Sequence, residues 1–226
     1  MKRVLFLLIF VYTLLFTACG EKSDQVFESE QIKISEMNEN LAVGDCFYFG
    51  SYKEEALLWK VLEKEDNDVL IMSFYGIDSM AYHSSYETIN YAKSEIRAFL
   101  NDSFYGQAFS DEEKERILKT SICNEANPSY GTDGGEDTED FIYLLSIDES
   151  EKLLTEEAGR IRPGSLAMEH GAAADRDGFG FWWLRSPGFD GNYAAYMTSE
   201  GKCFSGGRRV DEAGGMLCPV MQISLK

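Results

Sequence analysis

The sequence predicts one α+β domain over residues 41–226, with short antiparallel strands, two to three helices in its middle and a loop-rich C-terminal half. Three observations support this prediction. Apolar and aromatic runs bounded by turn residues open the domain, a helical apolar period follows within residues 96–122, and about the last seventy residues are rich in glycine and aromatic side chains. The 226 residues suffice for one domain with a hydrophobic core, whereas two full domains would be cramped.

The start of the chain has the pattern of a bacterial lipoprotein signal peptide. Lys2 and Arg3 provide a basic start, residues 4–16 form an apolar run, and small residues precede Cys19. The apolar run of about 13 residues is shorter than the roughly 20 that a membrane-spanning helix needs. We therefore expect a signal peptide over residues 1–18, lipidation of Cys19, and a chain that is exported and lipid-anchored to the outer face of the bacterial cell membrane. An ordinary signal peptide cleaved nearby is the alternative.

The charge of the chain argues against nucleic acid as a partner. The formal net charge is −18, and it becomes −20 when Lys2 and Arg3 leave with the signal peptide. Such an acidic surface repels nucleic acid and anionic lipid headgroups and favours solubility. Aromatic residues make up 13% of the chain, a high share for so acidic a protein. Many of them are expected to be buried, and some to line a binding face.

The domain is expected to follow a tether and to open with three strands. Residues 19–40 are polar and acidic and lack an apolar period, which is typical of a flexible segment. Residues 44–52 form a short aromatic run closed by glycines and predict a strand. The apolar runs 57–62 and 69–74 flank the turn-forming residues 66–68 and predict a β-hairpin.

Helices are predicted in the middle of the domain. Apolar residues repeat at three and four positions over residues 96–104 and predict a helix of about three turns. Residues 110–113 are spaced as a capping box, and the apolar residues in 117–122 continue the stripe of a second helix. Residues 146–149 are spaced to cap a short third helix, which we expect to end near residue 158.

Further strands are predicted on either side of this third helix. Residues 127–140 are rich in glycine and acidic residues and predict a loop, and a strand is predicted after it at 141–146. The C-terminal part offers strand candidates at 181–185, 193–198 and 220–225. No internal repeat accompanies them.

Four cysteines remain if Cys19 carries lipid, and three disulfide pairings of them are open in an oxidising compartment: Cys46, Cys123, Cys203 and Cys218. Cys203 and Cys218 lie 15 positions apart around a glycine-rich connection, so that neighbouring strands could join them and add roughly 3 kcal/mol of stability. The sequence has no Cys-x-x-Cys motif and no Cys/His cluster. No metal site and no cofactor is therefore predicted.

Five sequence blocks carry a resemblance. They are a Gly-Asp followed by Phe-Gly-Ser-Tyr in 44–52, Trp-x-Val-Leu at 59–62, Arg-x-Phe-Leu-Asn and Phe-Tyr-x-x-Ala-Phe within 97–109, Leu-Leu-Ser at 144–146, and Trp-Trp-Leu-Arg-Ser-Pro-Gly at 182–188. In the order and spacing of these blocks, residues 41–226 resemble a family of uncharacterised bacterial extracellular domains of unknown function. That family is distantly similar to the C-type-lectin-like fold of formylglycine-generating enzymes and of the variable receptor proteins of diversity-generating retroelements. The resemblance implies a C-type-lectin-like domain and does not fix a function.

The chain departs from this family just before its last strand. Members usually close with Gly-Val-Arg-Pro-Ala, whereas Cys218 stands here where arginine is expected. An ion pair made by that arginine would be absent, and a disulfide between Cys203 and Cys218 could replace it.

Three residues of the Trp-Trp-Leu-Arg motif are candidates for ligand binding. Trp182 and Trp183 are adjacent on a predicted strand and should point to opposite faces, so that one belongs to the core and the other either stacks on a sugar ring or lies under a loop. Arg185 could grip a ligand carboxylate. The favoured alternative is that Arg185 ties loops together through backbone carbonyls and an acid.

Catalysis and metal binding find little support in the sequence. Ser186 has no nearby histidine, and His83 and His170 are the only histidines of the chain, which leaves few ways to build a catalytic triad. The acidic residues within 133–140 offer oxygen ligands of the kind that calcium takes, but their order matches no EF-hand, and a solvated loop is the favoured interpretation.

These observations lead to one function hypothesis and two alternatives. The leading hypothesis is a membrane-anchored binding module for a glycan or protein ligand, and not an enzyme. The first alternative is an oxidase similar to formylglycine-generating enzymes, for which Cys203 and Cys218 are the only candidate pair, at a spacing longer than in those enzymes. The second is a purely structural surface lipoprotein.

Overall fold

Two five-stranded sheets organise the domain in the computed structural model, which describes residues 41–226. The predicted signal peptide, Cys19 and the tether lie outside the described residues. Within them, no helix is both long enough and apolar enough to cross a membrane. The described residues mix helices with mostly antiparallel strands, which confirms the predicted mixed architecture. They hold six short α-helices, more than the two to three expected, and the C-terminal part that was expected to be rich in loops carries five strands.

The described residues form twelve strands and six α-helices. The strands are β1 (Cys46–Tyr52), β2 (Glu55–Glu65), β3 (Asp68–Ser73), β4 (Asp78–Ser79), β5 (Ile117–Leu118), β6 (Thr120–Ile122), β7 (Thr138–Asp140), β8 (Trp182–Pro187), β9 (Tyr193–Met197), β10 (Cys203–Arg209), β11 (Met216–Leu217) and β12 (Val220–Ser224). The helices are α1 (Glu95–Phe99), α2 (Tyr105–Ala108), α3 (Asp111–Lys114), α4 (Ile147–Leu153), α5 (Glu156–Gly159) and α6 (Ser165–Glu169). A π-helical turn (Leu100–Phe104) joins α1 to α2, and a 3-10 turn (Tyr91–Lys93) precedes α1.

The two residues before the last strand connect the two sheets. The first sheet has the order β1-β2-β3-β12-β5, and the second has the order β10-β9-β8-β11-β4. β11 and β12 are consecutive in the chain but belong to different sheets, so that Cys218 and Pro219 cross from one sheet to the other. β6 and β7 form a separate two-stranded sheet.

One contiguous hydrophobic core joins both sheets to the helical segment. On β2, Trp59 is fully buried, and its indole N–H donates to the Phe49 carbonyl at 2.7 Å. Phe49 in turn packs on Phe109, with ring centroids 5.4 Å apart. A buried tryptophan usually finds such a partner for its N–H, which gives the apolar core a fixed orientation at this point.

The structure confirms most of the predicted elements and corrects several. The strand within 44–52, the hairpin of β2 and β3, the first helix, both capping boxes and the strands near 181–185, 193–198 and 220–225 are confirmed. The second helix is only one turn long, and its expected continuation lies in β5 and β6. The expected strand 141–146 is wrong, because only Tyr143 pairs there, in an isolated bridge to Val220. The sequence did not predict α6, β4, β7, β10 or β11, and β7 lies within the expected loop 127–140.

Candidate functional site

The two adjacent tryptophans of β8 are both core residues. Trp182 and Trp183 are fully buried, although neighbouring positions on a strand face opposite sides. The sheet is therefore covered on both sides at this point. The indole of Trp182 donates to the Gly159 carbonyl at 2.9 Å, and that of Trp183 donates to the Met80 carbonyl at 3.0 Å. Neither ring is available to stack on a ligand, which corrects the expectation that one of them could do so.

Arg185 has the loop-tying role that the sequence favoured. Its side chain is 5% exposed, and the guanidinium donates to the carbonyls of Leu144 at 3.0 Å and Cys123 at 3.2 Å. Its two terminal nitrogens also donate to the Glu149 carboxylate, Nη1 to Oε2 and Nη2 to Oε1, the latter at 2.8 Å. The same carboxylate accepts the Ser146 N–H as part of the cap of α4. Arg185 borders a cleft of about 350 Å³, but its terminal nitrogens are all bonded to protein atoms.

The predicted disulfide between Cys203 and Cys218 is wrong. Cys203 on β10 pairs with Met197 of β9, which in turn pairs with Trp182 of β8. Trp182 pairs with Met216 of β11, and Cys218 lies two residues after Met216. Three strand spacings amount to roughly 14 Å, whereas a disulfide needs Cα atoms within about 7 Å. All four cysteines among the described residues are free thiols. Burial raises the pKa of Cys203 to about 11 and raises that of the fully buried Cys218 well above its usual range, so that neither is a ready thiolate.

Most of the acidic side chains within 133–140 bind other groups of the protein. The buried Asp140 pairs with Arg97 at 2.7 Å, and Glu139 pairs with Lys119 at 2.8 Å. Asp137 accepts the Asn124 N–H at 2.9 Å. Within residues 41–226, no group of three or more His, Cys, Asp or Glu side chains is arranged to hold a metal ion.

Four aromatic side chains contact one another in a row at the surface, with Tyr193 partly buried and the other three exposed. We call this row the aromatic platform: Tyr86, Tyr193, Phe189 and Tyr130. Neighbouring ring centroids in this row lie 6.2, 4.3 and 6.3 Å apart. Three of the rings are about half exposed, at 46% for Tyr86, 49% for Phe189 and 55% for Tyr130. Contiguous apolar surface of this kind, rimmed by polar groups, is typical of an interaction site.

The turn between β8 and β9 forms the centre of the platform. The Gly188 N–H donates to the Tyr193 carbonyl at 2.6 Å, and the Phe189 N–H donates to the Gly206 carbonyl at 3.0 Å. These backbones approach so closely that a Cβ at Gly188 would lie 2.5 Å from the Cβ of Tyr193. Gly207 on β10 has a φ of +80°, and a Cβ there would lie 2.7 Å from the Ala194 carbonyl oxygen. Glycine is thus required where the three strands meet beneath the rings.

The buried side chain of Asn127 holds the Tyr130 end of the platform. Its amide nitrogen donates to the carbonyls of Pro187 and Ser205, both at 2.8 Å. Its oxygen accepts the N–H groups of Ser129 at 2.9 Å and Tyr130 at 3.2 Å. One side chain therefore joins the loop that carries Tyr130 to two strands of the second sheet.

The other end of the platform is held by the segment around Tyr86. The Ile89 N–H donates to the Gly191 carbonyl at 2.9 Å, and the hydroxyl of Tyr86 donates to that of Tyr193 at 3.4 Å. The guanidinium of Arg209 lies over the Tyr86 ring at 4.1 Å from its centroid. Arg209 also binds Asp211 through two hydrogen bonds of 2.9 and 2.8 Å. The platform thus ends at a balanced ion pair.

Sequence reasoning did not identify any platform residue. Tyr86, Tyr130 and the pair Phe189 and Tyr193 come from three separate segments, and of these only the segment of Phe189 adjoins a motif, the one that ends at Gly188. The only signal in the sequence was the high share of aromatic residues, which predicted an exposed aromatic face without locating it.

Comparison with known proteins gives a family and no described activity. The chain matches a family model described as a domain of unknown function, DUF6273, over residues 66–224, a range that contains every residue of the aromatic platform. No curated protein and no solved structure matches the chain. Because the family model covers well over half of its length, the chain belongs to the DUF6273 family.

Proposed function

We propose that the chain is a binding module whose aromatic platform recognises a glycan or protein ligand, and that it is not an enzyme. The observation that carries this proposal is the row of four contacting rings, three of them about half exposed, on hydrogen-bonded backbone. Aromatic side chains have large apolar surfaces and few rotatable bonds, so that a ligand buries much area at a small cost in side-chain entropy. Because Asn127 and the backbone bonds of the β8–β9 turn hold the rings in the free protein, little ordering is needed on binding.

The chemistry of the remaining candidates supports a binding role over catalysis. The raised pKa of Cys203 and the separation of Cys203 from Cys218 both disfavour an oxidase that uses this pair. The terminal nitrogens of Arg185 are already bonded to Glu149 and to backbone carbonyls. Phe189 and Tyr130, by contrast, expose about half of their surface, at 49% and 55%.

The proposal includes a C-type-lectin-like fold and a lipid anchor. The order of the five sequence blocks and the mixed architecture with short antiparallel strands support the fold. The pattern of Lys2, Arg3, an apolar run and Cys19 supports export and anchoring to the outer face of the bacterial cell membrane. Metabolic labelling with an alkyne fatty acid should tag the wild-type chain and leave Cys19→Ser untagged. Equal labelling of both would contradict lipidation at Cys19.

Two screens of the full chain test the binding role. The chain, held in a detergent without sugar groups, is applied to a glycan array and to a displayed-peptide library, with Phe189→Ala as the platform variant. Tyr75→Ala is the matched control, because Tyr75 is a similarly exposed aromatic residue outside the platform. We expect a ligand that Phe189→Ala loses and Tyr75→Ala keeps. If neither screen yields such a ligand, the proposal fails.

A further inference from the structure

Two aromatic rings at the surface of the domain carry arginines of the same chain. Arg160 and Arg162 lie over Phe179, at 4.0 and 4.2 Å from the ring centroid. Arg209 lies over Tyr86 at 4.1 Å. A guanidinium is attracted to the negative face of an aromatic ring, and its flat shape lets it stack there. Cation binding by surface rings is therefore already a feature of this fold.

The other rings of the platform lack such a partner. Among residues 41–226, no lysine or arginine lies over the rings of Tyr193, Phe189 or Tyr130. Along the row from Tyr86 to Tyr130, the planes of neighbouring rings are turned by 83°, 43° and 65°. The rings thus present separate faces and not one flat surface. Separate faces suit separate cationic side chains, because each cation needs the face of only one ring.

A carboxylate without a cationic partner lies beside these rings. Asp190 follows Phe189 in the exposed β8–β9 turn, and its Oδ1 accepts the Gly191 N–H at 2.7 Å. The pKa of Tyr86 is raised, first by the hydrogen bond with Tyr193, and the negative charge of Asp190 contributes to the rise. The carboxylate is therefore within electrostatic reach of the Tyr86 end of the row. In the part of the chain that the structure describes, no lysine or arginine forms an ion pair with Asp190.

The charges around the platform attract a cation. Arg209 pairs with Asp211 through hydrogen bonds of 2.9 and 2.8 Å, and Arg208 pairs with Glu212, so that neither guanidinium leaves an unbalanced positive charge there. The chain as a whole carries a formal net charge of −18, which draws a positively charged partner from a distance. The ring faces, the carboxylate of Asp190 and the overall charge each contribute an attraction to positive charge.

We propose that the ligand of the aromatic platform is a basic segment of a partner protein, whose arginine or lysine side chains lie over Phe189 and Tyr130 and pair with Asp190. This inference rests on the proposed function and names the ligand class for the same surface. Arginine and lysine carry their charge on an apolar stem, so that the stems cover the exposed rings while the charged ends reach the carboxylate or solvent. A protein segment can point successive side chains at rings that face different directions, whereas a sugar chain needs faces that are aligned.

The experiment begins with selection of a displayed random-peptide library on the full chain in detergent, with counter-selection on Phe189→Ala. We expect the recovered peptides to contain at least about twice the arginine and lysine of the starting library. Their affinities are then measured by fluorescence anisotropy with synthetic peptides. Glutamine in place of the basic residues should weaken binding roughly tenfold. Tyr130→Ala should weaken it roughly fivefold, and Tyr75→Ala should leave it unchanged.

Asp190→Asn tests the carboxylate, and Asp66→Asn is its matched control. Asparagine at position 190 keeps an acceptor for the Gly191 N–H, and Asp66 is an exposed acid in the turn between β2 and β3 of the first sheet. Each variant removes one negative charge. At about 0.05 M sodium chloride we expect Asp190→Asn to weaken peptide binding roughly fivefold and Asp66→Asn by less than about twofold. Equal effects would show that the overall charge attracts the peptide without a specific pair at Asp190, and would overturn that part of the inference.

Failure of this inference is distinguishable from failure of the proposed function. Peptides that need Phe189 but show no excess of basic residues overturn the basic segment and leave the binding role standing. A glycan that needs Phe189, with no such peptide recovered, has the same meaning. Spermine that binds as tightly as the peptides, with the same dependence on Phe189, overturns the protein segment as the source of the cation. If neither the library nor the glycan array yields a ligand that Phe189→Ala loses, both proposals fail. Circular dichroism of each variant separates lost binding from lost folding.

Discussion

The buried amide of Asn127 donates a hydrogen bond of 2.8 Å to the carbonyl of Pro187, the last residue of β8. Asn127 opens the loop that carries Tyr130, and Pro187 precedes the turn that carries Phe189. The bond therefore fixes the two halves of the platform relative to each other. A single interior side chain controls the geometry of a surface that it does not itself form.

Asn127→Ala should destabilise the fold and disrupt the platform. The substitution leaves the carbonyls of Pro187 and Ser205 without their buried donor, and the N–H groups of Ser129 and Tyr130 without their acceptor. We expect the free energy of unfolding to fall by about 2 to 3 kcal/mol, measured by urea denaturation. Ser129→Ala is the control, since that exposed side chain can be removed while its backbone N–H remains bonded. Equal stability of Asn127→Ala and the wild type would show that the Asn127 amide does not hold the loop of Tyr130 on the second sheet.

Arg185→Lys should be far more costly than the same change at Arg209. An ammonium cannot reproduce the planar pair of bonds to Glu149 together with bonds to the carbonyls of Leu144 and Cys123. We expect a loss of about 2 kcal/mol. Arg209 pairs with Asp211 at the surface, where solvent screens the interaction, and Arg209→Lys should leave stability nearly unchanged. Thermal and urea unfolding of both variants test the contrast, and similar losses at the two positions would contradict it.

The thiols should react in the order of their exposure and pKa. Cys123 is exposed, and its pKa is raised by desolvation and by the neighbouring Asp137. Cys203 is partly buried, and burial raises its pKa to about 11. At neutral pH the thiolate fraction of Cys203 is about a hundredfold below that of a thiol with its ordinary pKa. Alkylation of the folded chain, followed by mass spectrometry, should modify Cys123 first. The rate at Cys203 should keep rising until about pH 11.

The raised pKa of Cys203 also makes the stability of the fold depend on pH. A raised pKa in the folded state means that folding favours the protonated thiol. The contribution of Cys203 to stability is therefore complete below about pH 8.5, the pKa of an unfolded cysteine, and is lost as the pH rises toward 11. Recovery of a Cys203–Cys218 disulfide peptide from an unreduced digest would contradict the free thiols on which both expectations depend.

The sequence predicted elements whose partners are local and failed where the partner is distant. The hairpin of β2 and β3 could be predicted because its turn residues lie between its two strands. The residues around Ile117 have an apolar spacing that suits a helix, yet Ile117 pairs with Ile223 of the last strand. That partner lies about a hundred residues away and leaves no trace in the local pattern.

The candidate site could not be predicted for a related reason. The alternation of faces correctly placed one of Trp182 and Trp183 in the core, but it could not show that helices and loops also cover the opposite face. The spacing of Cys203 and Cys218 suggested adjacent strands, whereas β9 and β8 lie between them. The platform residues meet only through the connection of three separate segments, so that their proximity is a property of the topology.

Gly188→Ala should displace the backbone that carries Phe189 and Tyr193, whereas Gly106→Ala should stabilise the protein. A Cβ at Gly188 would lie 2.5 Å from the Cβ of Tyr193 and 2.7 Å from the Gly206 carbonyl oxygen. The backbone of the β8–β9 turn must shift, and we expect a loss of about 2 to 3 kcal/mol together with weaker ligand binding.

Gly106 lies within α2, and a Cβ there meets no atom within 4 Å. Alanine at that position should therefore raise the free energy of unfolding by about 0.5 to 1 kcal/mol and leave binding unchanged. Urea denaturation of both variants, together with their binding in the glycan and peptide screens, gives the comparison. If Gly188→Ala bound its ligand as the wild type does, the close strand contact would not be what positions Phe189 and Tyr193.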